Sequence, residues 1–225
     1  MNGLTDPRRV LLVLLAGDAL FVAGHFAYLH DRTLSAMWHL GTDGGYPEIY
    51  MYAKTLCAAS MLAFLWRRAR EPVFGAWALF FAYVFCDDAL RLHERGGRLL
   101  AATAGLPDVF GVSARSLGEL AVFAFFGVVF LLLISVAHLR SSGAARRSSQ
   151  VFAALFVALV VFGMGIDFLH TAELHEALKA MFSVVEDGGE LVTLSVVCWY
   201  ALKLVLASRS GAGAAVPPPA LATSR

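Results

Sequence analysis

The sequence predicts an all-α fold, a polytopic membrane bundle of six transmembrane helices. Three observations carry the prediction. Hydrophobic residues make up 59% of the 225 and charged residues only 16%, with a mean hydropathy of +0.69; soluble domains average about 25% charged residues. Six apolar runs approach the roughly 20 residues that a helix needs to cross a bilayer. The segments between those runs hold most of the arginine.

The first span is placed at 9–29. Arg8 and Arg9 precede an apolar run that continues through Phe21, Val22 and Phe26 without a small-residue cleavage site, which favours a retained helix over a signal peptide. Spans two and three, 47–66 and 72–92, open on Pro47 and Pro72, where a helix start tolerates the missing N–H. The remaining spans are expected at 116–139, 149–169 and 181–206, which gives a transmembrane domain over 1–207. A tail over 208–225, with Gly211, Gly213 and Pro217, Pro218 and Pro219, has no apolar periodicity and reads as disordered and cytoplasmic.

With six spans, Arg8, Arg9, Arg67, Arg68, Arg70, Arg140, Arg146, Arg147, Lys203 and Arg209 fall on one side. The positive-inside rule makes that side the cytoplasm, with both termini inside and the chain in a bacterial-type inner membrane. Arg91, Arg95, Arg98 and Arg115 run against the rule, beside acids able to pair with them. A formal net charge of +1 says nothing about a nucleic-acid partner, and with no basic stripe carrying interleaved aromatics none is expected. Cys57, Cys86 and Cys198 lie in apolar runs and read as small hydrophobes.

Ionisable groups at membrane depth are costly and therefore point to function. Here they gather at the outer ends of the spans: Asp87, Asp88, His93 and Glu94 on the third, Arg115 and Glu119 on the fourth, Asp167, His170, Glu173, His175 and Glu176 around the fifth, and Glu186, Asp187 and Glu190 on the sixth. His25, His30, Asp31 and Glu48 sit at the same level. At about 100° per residue, Asp87, His93 and Glu94 share one wedge of a continuous helix, as do Asp167 and His170, and Glu186 and Glu190. Leu92-His93-Glu94 recurs as Leu174-His175-Glu176, and Gly118-Glu119-Leu120 as Gly189-Glu190-Leu191, a possible tandem repeat of helix pairs 3–4 and 5–6. The repeat selects His175 and Glu176; the wedge selects Asp167 and His170; the sequence leaves both open.

Mixed carboxylate and imidazole donors suit Zn, Fe or Mn, and the absence of thiolate clusters argues against iron–sulfur. The ligand logic resembles carboxylate-bridged dimetal bundles, yet no Glu-x-x-His motif is present, so that family is not assigned. The first expectation is a divalent-metal membrane enzyme, hydrolytic or oxidative, acting on a lipidic or other small membrane-proximal substrate. Its metal ligands would come from Asp87, Asp88, His93, Glu94, Glu119, Asp167, His170, His175, Glu186 and Glu190. The second is a cation- or proton-coupled transporter or channel, with Asp18 and His25, seven residues apart on one face, as proton relay and Lys54 as a partner for Asp18. The third is an accessory subunit whose acids pair with arginine, such as Arg91 with Asp87 and Arg115 with Glu119. Haem between His93 and His170 fits poorly among carboxylates. Trp38, Tyr46, Tyr50, Tyr52, Trp66 and Trp199 read as interfacial belt anchors.

Overall fold

A computed structural model describes residues 6–108, 112–165 and 176–209, with side chains at 164–165 and 176–183 excepted. The helices are α1 (Pro7–His30), α2 (Tyr46–Ala69), α3 (Pro72–Leu90), α4 (Leu92–Ala104), α5 (Ala114–Leu139), α6 (Gly143–Val160) and α7 (Glu176–Arg209). A single 3-10 turn, Ala36–Trp38, sits in the loop after α1, and α6 runs into a π-helical turn, Val161–Gly165. Among the described residues, six helical segments are long and apolar enough to cross a membrane: α1, α2, α3, α5, Gly143–Gly163 and the Val184–Arg209 part of α7. The six-span helical bundle is therefore the fold.

The helix boundaries have local causes. Asp6 caps α1 by accepting the Arg8 N–H at 3.0 Å, and Pro7 occupies the first turn. α2 stops where Arg70 enters the left-handed region at φ 56°, and two residues later Pro72 starts α3. Ser113 accepts the Ser116 N–H at 3.1 Å and caps α5. Ser142 caps α6, which begins six residues before the expected position because Gly143–Ser148 is polar but still helical.

α2 and α3 form an antiparallel hairpin at the centre, with α7 against α2 and α6 against both α3 and α7. α1 packs chiefly on α7 rather than on its chain neighbour α2. The long connection after α1 explains this, because it folds back over the helix: the His25 ring accepts the Leu40 N–H at 3.2 Å, and Trp38 lies so close to Gly24 that a Cβ there would meet its ring at 2.3 Å. The apolar core lies toward the arginine-rich end, around Leu62, Trp77, Phe81, Phe152, Val197 and Ala201. Within it Trp77 Nε1 donates to Ser149 Oγ at 2.9 Å, which satisfies the buried indole N–H.

One polar tie crosses the bundle. Lys54 Nζ on α2 donates to Asp18 Oδ1 on α1 at 2.7 Å, to the Leu191 carbonyl on α7 at 2.7 Å and to Ser195 Oγ at 3.1 Å. Ser195 in turn donates to Asp18 Oδ2 at 2.6 Å. Both carboxylate oxygens and the ammonium are thus partnered, the condition under which a buried ion pair is tolerable.

Candidate functional site

The functional end of the bundle is organised by a break in the third helix. On a continuous helix Asp87 and His93 would stand about 9 Å apart along the axis, too far to bond. Instead Arg91, at φ 53°, ends α3 and turns the chain into the short polar helix α4. The reversal brings His93 back over Asp87: the His93 N–H donates to Asp87 Oδ1 at 2.9 Å, and Nδ1 lies 2.9 Å from Oδ2. Asp87 is buried and both its oxygens are engaged by His93. This contact holds the imidazole pKa above its ordinary value, against burial, which lowers it. With Nδ1 held, Nε2 is the ring nitrogen turned away from Asp87, the arrangement by which a carboxylate orients a metal-binding or basic histidine.

His93 and Asp87 line a cavity of about 420 Å³ shared by α2, α3, α4, α5, α6 and α7. Glu48, Asp88 and Glu190 line it too, so among the described residues four carboxylates and one imidazole face a common space. Asp88 lies within electrostatic reach of Asp87, His93 and Glu48, and Glu190 within reach of Asp88, Asp187 and Glu186. The Glu190 carboxylate occupies the space over Gly163, where a Cβ would meet Oε1 at 2.1 Å. Among the described residues, no three His, Cys, Asp or Glu side chains stand close enough to hold a metal ion in common.

Other predicted residues are placed differently. Glu94 lies outside the cavity lining, with Arg91 at 3.3 Å, Arg98 at 3.4 Å and Arg115 at 3.0 Å. Glu119 is also outside it and accepts from Arg115 Nε at 2.7 Å. Arg91 pairs with Asp43 and Glu94, not with Asp87. Glu186 and Asp187 are half-buried near Glu190 on α7. Asp167, His170 and His175 lie outside the described residues, as does the side chain of Glu176. Asp18 belongs to the Lys54–Ser195 tie, and His25 is buried beneath the α1–α2 loop, its ring 4.7 Å from that of His39.

Glu48 stands at the level the sequence indicated but did not figure among the ligands, and Tyr52 read as a belt anchor. The structure puts both on the cavity wall, one helical turn apart on α2, a spacing visible in the sequence. Tyr83, one turn before Asp87, also lines the cavity. On α5, Phe123, Phe126, Gly127 and Phe130 follow the i, i+3, i+4, i+7 spacing of one helix face and form its apolar wall. In a span apolar on every side that face carries no signal of its own.

A family model described as a domain of unknown function, DUF8692, matches residues 13–206. The chain belongs to this family. Within this DUF8692 chain the match runs from α1 into α7 and takes in every residue that lines the acidic cavity. No curated protein and no solved structure matches it.

Proposed function

We propose that this DUF8692 chain is a metal-dependent membrane enzyme, hydrolytic or oxidative, acting on a lipidic substrate at the outer face of a bacterial-type inner membrane. The observation that carries the reading is the excess of carboxylates over cations around one cavity. Among the described residues Glu48, Asp87, Asp88 and Glu190 line it with the His93 imidazole, while Arg91, Arg98 and Arg115 pair with Glu94, Glu119 and Asp43. A Zn, Mn or Fe ion would neutralise that excess with the oxygen and imidazole donors it prefers. His93, Asp88, Glu48 and Glu190 are the candidate donors, and Asp87 orients His93. Among the described residues no three of them converge, so holding an ion would require the carboxylate side chains to move inward. A bound ion would acidify water for hydrolysis or bind oxygen. The clustering of Arg67, Arg68, Arg70, Arg140, Arg146 and Arg147 at the opposite ends of the spans supports cytoplasmic termini.

The test is metal content of the detergent-purified protein by plasma mass spectrometry after supplementation with Zn, Mn and Fe. Wild type is expected to hold one or two equivalents. His93→Ala and Glu190→Gln should lose most of it, while Glu119→Gln, which removes only a partner of Arg115, should retain it. Metal-free wild type, or equal content in all four proteins, would sink the proposal.

A further inference from the structure

Below its acidic rim the same cavity is apolar. Phe80 of α3, Phe123, Phe126 and Phe130 of α5, Phe156 of α6 and Leu194 of α7 form its walls. Among the described residues α5 packs on α3, α4 and α6 but does not reach α7, so the chamber occupies the space between those two spans. Two details single out a ligand. A Cβ built on Gly127, which lines the chamber, would meet nothing within 4 Å, so the space over this residue is open. At the boundary between rim and chamber, the Tyr83 hydroxyl is buried against Asp87 but has no partner at good hydrogen-bond geometry among the described residues, both Asp87 oxygens being held by His93. Buried hydroxyls are nearly always bonded, and an exception in a cavity wall calls for a partner that enters from outside.

We infer that the cavity binds a single-chain amphiphile: its oxygen-bearing head accepts a hydrogen bond from Tyr83 beside the carboxylate rim, and its alkyl chain fills the aromatic chamber up to Gly127. Among the described residues the cavity is polar at one end only, which matches an amphiphile and neither a wholly polar solute nor a plain hydrocarbon. Its volume falls in the range of about 300–1,000 Å³ typical of small-ligand sites. Gly127 then limits chain length, because a bulky side chain there takes the place of terminal methylenes. The inference rests on the functional reading above for the site, and not on a metal being present.

The experiment is native mass spectrometry of the full chain, with and without chelator, titrated with monoacylglycerols of C8, C12 and C16 chains. Wild type is expected to bind one equivalent and to favour C16. Gly127→Leu removes room for about two methylenes, which corresponds to roughly a tenfold loss for C16, and leaves C8 within about twofold. Gly127→Ala should bind as wild type does and shows that the helix tolerates substitution. Tyr83→Phe should weaken all three chains alike; a hydroxyl that was merely unsatisfied would leave binding unchanged. Absent binding, or equal losses for C8 and C16 in Gly127→Leu, would overturn the inference. Chain-length-dependent binding that persists in metal-free protein supports it even where the metal proposal fails.

Discussion

Both oxygens of Asp87 are held by His93, one through the backbone N–H and one through the ring. That double contact has a pH consequence. The imidazole pKa lies above the ordinary value near 6.5, first because of the Asp87 hydrogen bond and in spite of burial. A pKa raised on folding contributes stability that is complete below about 6.5 and is lost as pH rises through the folded value. In chelator-treated protein, His93 should therefore titrate above about 6.5, and resistance to unfolding should fall across that window. Asp87→Asn should lower the titration and flatten the pH dependence; imidazole NMR of labelled protein reads the first and thermal scans the second. A His93 titration that Asp87→Asn leaves in place would refute the contact's role. The residue types at this site were visible in the sequence. Their pairing was not, because helical spacing puts Asp87 and His93 six positions apart on a helix that in fact ends between them.

At the scale of elements, α4 is the piece that the sequence left as a connection. Its polar composition, with Arg95, Arg98 and two glycines, hides a helix that lies along α5. The contact is close: a Cβ on Gly118 would fall 2.2 Å from the Gly97 carbonyl oxygen, and one on Gly97 would fall 2.5 Å from the Glu119 backbone nitrogen. Arg115 then bridges Glu94 of α4 and Glu119 of α5. Gly118→Ala should force the two backbones apart and cost about 1–3 kcal/mol, whereas Gly127→Ala on the same helix meets no atom and should be near neutral. Circular-dichroism melts of both variants test this, and equal melting temperatures would refute it. The two Gly-Glu-Leu triplets share the close-packed glycine, Gly118 against Gly97 and Gly189 against Phe162, but their glutamates part ways: Glu119 binds arginine and Glu190 faces the cavity.

Across the whole molecule, the Asp18–Lys54–Ser195 tie joins α1 and α7 through α2. Lys54→Met would strand a buried carboxylate and should cost about 3–5 kcal/mol, while Asp18→Leu with Lys54→Met should recover most of that loss. Thermal unfolding in detergent measures both. A double variant no better than the single one would refute the structural role and return Asp18 to consideration as a proton carrier. Three of the four arginines that ran against the positive-inside pattern are paired, Arg91, Arg98 and Arg115 with Asp43, Glu94 and Glu119.

By itself the sequence determined the six apolar spans and the gathering of most arginines toward one set of span ends and many acids toward the other. Those properties follow from run length and composition, which act one segment at a time. Tertiary structure decided which acids share a cavity and which are bound by arginine, that Asp87 serves His93, and that the cavity continues between α3, α5 and α7 as an aromatic chamber. Each of these depends on the turn at Arg91 and on the distance at which helices cross. A backbone dihedral sets the first and paired glycines the second, neither of which leaves a periodic mark in an apolar chain.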